Sequence, residues 1–392
     1  MSQETPTATN ILLSCALGDS VGGVQVVVRD LVNWLERNGR QVFLVYPSAL
    51  PQFRVTERPN SWGHASFYCP MPGIVRNSYV LSLPVMLFFF PLSVFHLLRL
   101  IRRHRIDAIN CHFLSPQFVH LVAAGYLLRV PVIVSIHGAE IDYYRDDSDW
   151  LSRLLLRMIV RGARRVVACS SDLARQTREA FPELADRVTF VHNGVDLASF
   201  AGISTQRKLP ESFLLCVSRQ VHKKGLDTLL RAFVEVARDF PQISAVFVGA
   251  GPLLEEHQAL ATRLGIERKV FFMGDVPHRE IATFFERCQL FVLPSRAEPF
   301  GIVLLEAAYY CKPIVCTRVG GVPEILVDGV SGSFVEPDDP PAMAASILNI
   351  LCHPEFASTL GTRAHETLMA RFLWSDRVHD YTAIFDAVTS KN

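Results

Sequence analysis

The sequence predicts an α/β protein with two parallel-sheet domains, and three observations support this fold class. The chain has 392 residues, enough for two domains that each bury a core. Short apolar runs of strand length alternate with longer segments of helical periodicity, the pattern of β-α-β units. A strand, a glycine loop and a helix open the chain, and the same succession begins again near its middle.

The first half begins with a predicted buried strand at residues 11–17, the glycine loop 18–23, a helix at 24–38 and a strand at 41–46. Residues 48–75 are rich in Pro, Asn, Ser and Gly, which predicts a mobile loop. Four further strands are expected at residues 107–112, 131–136, 165–170 and 188–191. Parallel β-α-β organisation is therefore expected throughout this half.

The second half follows a Pro-, Ser- and Lys-containing stretch, residues 198–212, that we interpret as a linker. A strand at 212–218, a loop at 219–225 and a helix at 226–239 restart the pattern. Four more strands are expected at residues 243–248, 269–273, 290–293 and 313–317. The chain is predicted to be helical from about residue 340 to its end.

Composition excludes several function classes. The net charge of +1 gives no basic excess of the kind that nucleic-acid binding needs. Nine Cys occur without a CxxC pair, which indicates reduced, buried thiols in a cytosolic protein rather than a disulfide framework or a zinc site. Residues 1–9 are polar, so no signal peptide is expected there.

Residues 77–95 form an uncharged apolar segment that reaches the length of a membrane span. The segment contains Pro84 and Pro91, and it leads into a cluster of cationic residues at 99–105. Three interpretations stay open: a membrane span, a partly buried helix that contacts the bilayer, and an internal helix. The cations would suit an anionic membrane surface or the C-terminus of a solvated helix.

Asp147-Ser148-Asp149 has the form of a DxD metal motif, but it precedes a helix at 150–161 and does not follow a buried strand. Helix capping explains it better, so no metal site is expected. Arginines at 153, 157, 161, 164 and 165 give this helix a basic face. That face, residues 150–165, is either a second membrane-facing patch or a solvated surface.

Candidate site residues gather where the predicted strands end, as expected for open parallel sheets. His112 and His137 each follow a strand in the first half. In the second half, Arg219 and Lys224 lie on one strand-to-helix loop, where a guanidinium and an ammonium can both reach one diphosphate.

Two carboxylates flank a predicted helix N-terminus in the same half. Glu298 lies in the loop after the strand at 290–293, and Glu306 lies on the helix that follows. Between them, the backbone N–H groups of Phe300, Gly301 and Ile302 predict an anion site. Donors for phosphates and acceptors for diols are what a nucleotide sugar requires.

The stretch from Leu293 to Ala307, with Ser295-Arg296 before Glu298 and Pro-Phe-Gly after it, resembles the E-x7-E signature of retaining glycosyltransferases of family four. This resemblance implies the GT-B architecture, two Rossmann-like doubly wound domains facing each other across a cleft. An acceptor domain is implied at residues 1–205 and a nucleotide-sugar domain at 206–373. A C-terminal helix at 374–392 is implied to pack back on the first domain.

The resemblance also implies roles for individual residues. His137 would contact the sugar near the acceptor, Arg219 and Lys224 would neutralise the leaving diphosphate, and Glu298 would hold sugar hydroxyls. The donor would be further bound by the glycine pair, the loop after the strand at 269–273, the helix N-terminus and the second carboxylate: Gly22, Gly23, Val276, Phe300, Gly301, Ile302 and Glu306.

The expected partners are a UDP- or GDP-linked sugar donor and a glycan or lipid-linked acceptor, with no cofactor and no metal. We expect a cytoplasmic enzyme of bacterial surface polysaccharide or glycolipid assembly, with peripheral contact at the inner membrane face through residues 77–105 and 150–165 as an option. Two alternatives are a nucleotide-sugar epimerase or hydrolase on the same fold, and a non-catalytic sugar-binding protein. A nicotinamide oxidoreductase would need GxGxxG after a strand, and the sequence contains no convincing instance.

Overall fold

The structure, a computed structural model, describes residues 9–17, 23–48, 53–74, 79–142, 144, 150–200 and 205–390. The chain divides into two compact units. The first unit contains Met1–Gly194 and Trp374–Asn392, and the second contains Val195–Leu373. Each unit is an α/β body around its own parallel-dominated sheet, as the alternation of apolar runs and helical segments predicted.

The described residues of the first unit form an eight-stranded sheet in the order β3-β4-β2-β1-β5-β6-β7-β8. The strands are β1 Asn10–Cys15, β2 Gln41–Pro47, β3 Thr56–Pro59, β4 Ala65–Cys69, β5 Ala108–His112, β6 Val132–Ile136, β7 Arg165–Ala168 and β8 Val188–Phe190. Neighbouring strands run parallel except for β3 and β4, which pair antiparallel. Strands β5 and β6 are buried along their whole length, which explains why most of their residues are apolar.

Helices cover this sheet, and they include the last helix of the chain. Their bounds are α1 Gly23–Arg37, α2 Tyr79–Arg103, α3 Val119–Leu128, α4 Ala139–Asp142, α5 Trp150–Gly162, α6 Ser171–Ala180 and, after the second unit, α14 Trp374–Thr389. Helix α14 packs on α1 and buries Trp374, Tyr381 and Phe385. The first unit is therefore assembled from both ends of the chain.

The prediction of one mobile loop at 48–75 was wrong, because this segment contributes β3 and β4 to the sheet. The Asn and Gly in it form the tight turn between these strands. Gly63 N donates to Asn60 O at 3.0 Å, and Asn60 Oδ1 accepts from the backbone N of Trp62 at 2.9 Å. Turn residues thus marked a hairpin, and the exposed edge strand β3 had no apolar alternation to reveal it.

The described residues of the second unit form a six-stranded sheet in the order β11-β10-β9-β12-β13-β14, with parallel neighbours. The strands are β9 Phe213–Val217, β10 Ser244–Val248, β11 Val270–Phe272, β12 Leu290–Leu293, β13 Ile314–Thr317 and β14 Ser333–Val335. The helices are α7 Leu226–Asp239, α8 Leu254–Arg263, α9 His278–Arg287, α10 Ile302–Tyr309, α11 Val322–Ile325, α12 Pro340–Cys352 and α13 Pro354–Arg371. The apolar face of α7 and residues of α12 cover the buried strands β9 and β10.

The unit boundary differs from the boundary expected at 205/206. Residues 195–200 belong to the second unit, because Val195 bridges to Leu373 and Phe200 stacks on Tyr309 at a ring-centroid distance of 4.6 Å. Tyr310 also donates its hydroxyl to Phe200 O at 2.9 Å. A polar composition therefore did not indicate a free linker at the beginning of this stretch.

One described helix, α2, is long and apolar enough to cross a membrane by length and composition. Its segment Leu81–Arg103 has a mean hydropathy of 2.0 in the most apolar window, and 28% of that window is buried. The burial is confined to one side of the helix. Length and hydropathy alone do not distinguish the three interpretations of residues 77–95.

Candidate functional site

The second unit brings its candidate residues together where the strand order reverses. Strands β9 and β12 are neighbours in the sheet, and the loops that follow them contain Lys224 and Glu298. The Lys224 Nζ atom lies 2.5 Å from Glu298 Oε2, and the two side chains are 18% and 9% exposed. Residues that the sequence assigned to separate tasks thus form one largely buried ion pair at the switch point of the sheet.

Close backbone contacts hold the two loops against each other. Gly225 has a φ of 62°, and a Cβ atom there would lie 2.1 Å from Pro294 O. The backbone N atoms of Arg296 and Ala297 donate to Lys223 O at 2.8 and 3.2 Å. Only glycine permits this approach, so the position of Lys224 relative to Glu298 is set by the main chain.

The Arg296 side chain connects the same two loops through hydrogen bonds and ion pairs. Its guanidinium makes a bidentate pair with Asp227 at 2.9 and 2.7 Å. It also donates to His222 O and to Asp338 Oδ1, both at 2.7 Å. Hydrogen bonding to Asp227 raises the pKa of Arg296, so the cation is permanent. Sequence analysis missed this role, although Arg296 stands inside the motif that contains Glu298.

Arg219 follows β9 and has an exposed side chain. It forms no ion pair or side-chain hydrogen bond with any residue that the structure describes. A cation that is available in this way, on the loop of Lys224, can bind an anionic ligand without first breaking an internal contact.

The N-terminus of α10 and the carboxylate of Glu306 lie on one element. Gly301 precedes the helix with a φ of 98°, and Glu306 lies in its second turn. The Glu306 Oε1 atom accepts a hydrogen bond from His278 Nε2 at 2.9 Å, a contact that the sequence did not suggest. Phe300 is 2% exposed and its ring packs on Phe372, so its side chain belongs to the core of the unit.

A small cavity lies beside the His278–Glu306 pair. Aromatic side chains line it, and they include Phe200 and Tyr310. Burial raises the pKa of Tyr310 to about 12, so this hydroxyl stays protonated. Val276 is half-buried in the loop before α9, which begins at His278.

In the first unit, the two predicted histidines are neighbours. His112 ends β5 and His137 directly follows β6, which pairs with β5. The His112 Nδ1 and His137 Nε2 atoms are 3.1 Å apart, and the rings stack with centroids 5.4 Å apart. The carboxyl ends of these adjacent parallel strands therefore place the two imidazoles side by side.

A buried hydrogen-bond chain fixes the tautomers of these rings. Ser135 Oγ donates to Asn110 Oδ1 at 3.0 Å, and the amide nitrogen of Asn110 lies 2.9 Å from His112 Nε2. Because that amide nitrogen only donates, His112 Nε2 must accept, and its proton is on Nδ1. His112 Nδ1 then donates to His137 Nε2, which leaves the proton of neutral His137 on Nδ1.

Both histidines are neutral at physiological pH. Burial lowers the pKa of His137 to about 4. Burial, followed by the neighbouring His137, lowers the pKa of His112 well below its usual range. This site is therefore a buried, uncharged set of hydrogen-bond donors and acceptors. The hydrogen-bond chain extends to α14, where the Tyr381 side chain hydrogen-bonds Ser135.

Glu140 contacts the backbone of this site, and the sequence analysis did not identify it as a candidate. Its Oε1 atom accepts from the backbone N of His137 at 2.9 Å and of Leu114 at 3.3 Å. The other oxygen is buried and has no partner among the described atoms. Burial raises the pKa of Glu140 to about 7, against the opposing effect of the hydrogen bonds from His137 and other backbone N–H groups.

Some predicted residues lie outside the described part of the chain. Gly22 and the Asp147 segment are among them. Gly23 begins α1, and a Cβ atom there would meet no described atom within 4 Å. Among the described residues, no cluster of three His, Cys, Asp or Glu side chains could hold a metal.

The basic face predicted for residues 150–165 is partly neutralised. Arg157 and Arg161 both pair with Glu183, at 2.8 and 3.2 Å. These two arginines are therefore less available to an anionic surface than the sequence suggested.

Two α/β units, each built on a parallel-dominated sheet, are the architecture of glycosyltransferases of the GT-B class. Residues 203–367 match the family model described as Glycosyl transferases group 1, and residues 21–199 match that described as Glycosyltransferase Family 4. The chain belongs to glycosyltransferase family four, so the family inferred from the E-x7-E stretch is confirmed.

Similar proteins agree with this membership. The chain is 31% identical over 339 residues to D-rhamnosyltransferase WbpZ of Pseudomonas aeruginosa, covering 80% of this chain and 84% of that protein. It is 29% identical over 375 residues to a GDP-mannose-dependent alpha-(1-6)-phosphatidylinositol monomannoside mannosyltransferase of Mycolicibacterium smegmatis, covering 91% and 92%. It spans 62% of the length of a glycogen synthase of Mycobacterium tuberculosis.

A solved structure shares the fold. Sucrose-phosphate synthase from Thermosynechococcus elongatus superposes with a TM-score of 0.78 at 22% identity, covering 97% of this chain and 99% of that chain. The predicted GT-B fold class is confirmed.

Proposed function

We propose that this glycosyltransferase moves a hexose from a UDP- or GDP-linked donor to a hydroxyl of a glycan or lipid-linked glycan, with retention and without a metal. The Lys224–Glu298 contact carries this proposal, together with the exposed Arg219 on the same loop as Lys224. Cations for a diphosphate and a carboxylate for sugar hydroxyls occur together at the switch point of one sheet.

The donor is held by the second unit in this proposal. Arg219 and Lys224 bind the diphosphate, with the backbone N–H groups of Gly301 and Ile302 at the α10 N-terminus. Glu306, oriented by His278, accepts hydrogen bonds from the ribose diol. The backbone around Val276 contacts the base.

The chemical step breaks the bond between the anomeric carbon and the phosphate oxygen. The electron pair leaves with the nucleoside diphosphate, while the acceptor oxygen bonds to the anomeric carbon on the same face. The acceptor proton goes to an oxygen of the leaving phosphate, so no protein nucleophile is required. Arg219 and Lys224 stabilise the charge that develops on the leaving group, each by about 3–4 kcal/mol.

His137 contacts the transferred sugar near the acceptor in this scheme. Because its pKa is lowered to about 4, it acts as a neutral hydrogen-bonding group and not as an acid. Glu298 holds sugar hydroxyls through the oxygen that Lys224 leaves available.

The acceptor is proposed to be membrane-linked. The mycobacterial relative is named for a phosphatidylinositol mannoside acceptor and a GDP-mannose donor, and WbpZ for D-rhamnose transfer. We assign this chain to bacterial surface polysaccharide or glycolipid assembly, in the cytoplasm, with peripheral contact at the inner membrane face through residues 77–105 and 150–165.

A thermal-shift panel of nucleoside diphosphates, with and without magnesium, tests the donor site. Binding to the native state raises the apparent melting temperature by mass action. We expect one nucleotide to raise it equally in both conditions and to lose this effect in Lys224→Ala. No shift with any nucleotide, or a shift only with magnesium, would contradict the proposal. Sugar release without acceptor, measured on the same nucleotide sugar, would identify a hydrolase instead.

A further inference from the structure

Helix α2 exposes one continuous apolar face. Its exposed positions between residues 81 and 95 recur every three or four residues, which places them on one side of the helix. The large side chains among them are 58–71% exposed. We call this set the α2 face: Leu81, Pro84, Leu87, Phe88, Pro91 and Phe95. An apolar surface of this extent is unusual for a protein that contacts only water.

The opposite side of α2 is embedded in the first unit. Met86, Phe89 and Leu97 are at most 6% exposed. Ser93 is fully buried, and its hydroxyl lies within hydrogen-bonding distance of Pro70 O beyond the end of β4 and of Phe89 O, one of which accepts its proton. A helix that crossed the bilayer would have to remove this side from the core, so the folded unit excludes a span. The exposed side equally excludes an internal helix.

The two prolines of the α2 face leave backbone carbonyls that need another hydrogen-bond partner. Pro84 and Pro91 lack the N–H that would bond the carbonyls of residues 80 and 87. A free carbonyl is costly in the hydrocarbon core but is satisfied in the hydrated interfacial region. The sequence therefore suits a helix that lies parallel to the membrane plane.

The helix ends in cations. Arg99 and Arg102 continue the spacing of the α2 face, and Arg103 is exposed beside them. None of the three forms an ion pair with a residue that the structure describes. Residues 77–105 contain no Asp or Glu, so the whole segment is complementary to a negatively charged surface.

Resting on the membrane-linked acceptor proposed above, we propose that the α2 face docks in the plane of an anionic lipid bilayer. Its apolar positions enter the boundary of headgroups and acyl chains, and Arg99, Arg102 and Arg103 bind lipid phosphates. A protein partner fits less well, because protein interfaces need about one hydrogen bond per 100–200 Å². Within the described segment 81–95, the exposed positions carry no hydrogen-bonding side chain.

Co-sedimentation of the full chain with vesicles tests this docking. We expect binding to phosphatidylcholine vesicles that contain phosphatidylglycerol and much weaker binding to phosphatidylcholine alone. Replacing Arg99, Arg102 and Arg103 by Gln should weaken binding about a hundredfold, at roughly fivefold per cation. The double variant Phe88→Ser/Phe95→Ser should abolish the binding that remains at high salt.

Val327→Ser, which changes an exposed side chain of the second unit, is the matched control and should bind as the wild type does. Circular dichroism and the nucleotide-induced melting shift should be unchanged in every variant, which separates this test from that of the donor site. Wild-type protein that stays in the supernatant with both vesicle types overturns the docking. So does undiminished binding of the variants, or a dimer in solution that Phe88→Ser/Phe95→Ser dissociates.

Discussion

Both units place candidate residues at the carboxyl ends of neighbouring parallel strands, yet the two sites differ in electrostatics. In the first unit, His137 and His112 form a buried chain without a net charge. In the second, Lys224 and Glu298 form an ion pair, and Arg219 is exposed. The carboxyl ends of parallel strands thus supply the location, while burial and residue type decide whether a site is neutral or charged.

This difference predicts how each site responds to the loss of one member. Removing the cation from a buried ion pair leaves an uncompensated charge, which is costly for folding as well as for ligand binding. Removing a member of the neutral chain leaves an unsatisfied donor or acceptor, a smaller penalty.

The largest effect is expected for Lys224→Met. Turnover should fall about a hundred- to a thousandfold, because one preorganised cation no longer stabilises the leaving diphosphate. The unpaired Glu298 should also lower the free energy of unfolding by about 3 kcal/mol. Steady-state kinetics and urea unfolding would measure the two effects.

The double variant Lys224→Met/Glu298→Gln separates stability from chemistry. It removes both charges, so the unfolding free energy should recover while activity stays low. Recovery of activity together with stability would show that Lys224 acts only through the fold, and the contrast between the two sites would lose its basis.

An intermediate effect is expected for His112→Leu. Without the Nδ1 donor, neither tautomer of His137 is favoured, and kcat should fall about ten- to a hundredfold with little change in KM. His112→Gln keeps an amide that can accept from Asn110 and donate to His137, so it should restore most of the rate. Nitrogen NMR of the wild-type His137 ring should show the proton on Nδ1. A proton on Nε2 would contradict the assigned direction of the hydrogen-bond chain. Equal kcat in the Leu and Gln variants would contradict a positioning role.

The smallest effect on activity is expected for Glu140→Gln, which should change stability alone. The folded state holds the Glu140 proton more tightly, with the pKa raised from 4.5 to about 7. This contribution is fully present below about pH 4.5 and is lost as the pH rises through 7, up to about 3 kcal/mol. Relative to the variant, the wild type should therefore become less stable between about pH 4.5 and 7. Above pH 7, the difference in stability should stay constant.

His137 acts with the opposite sign, since its lowered pKa costs stability as the pH falls from 6.5 to about 4. For this reason, the difference in melting temperature between Glu140→Gln and wild type is the quantity to follow, because the His137 contribution cancels in it. A difference that does not vary with pH would mean that Glu140 is solvated like an ordinary carboxylate.

Much of the fold followed from local sequence. The buried strands were predicted because fully covered parallel strands are continuous apolar runs, as in β9 and β12. The helix at 226–239 matches α7 Leu226–Asp239. The hairpin of β3 and β4 was missed, because an exposed edge strand such as Thr56–Pro59 has no apolar alternation.

For the candidate site, the sequence indicated which residues lie at the strand ends, but it did not indicate the contacts between them. The predicted strand ends led to His137, Arg219 and Glu298. No sequence pattern predicted that Lys224 would pair with Glu298, which lies 74 positions away in the sequence. Arg296 and His278 were missed for the same reason. Their partners lie on other loops, and a pairing between distant segments leaves no periodic signal.

The return of α14 to the first unit has a consequence for synthesis on the ribosome. The second unit is one continuous stretch, Val195–Leu373, and can fold as it emerges. The first unit has to wait for residues 374–389, which supply Trp374 and Tyr381 to its core. A nonsense codon after Leu373 would therefore spare the domain made last and damage the one made first, including the hydrogen-bond chain that ends at Ser135.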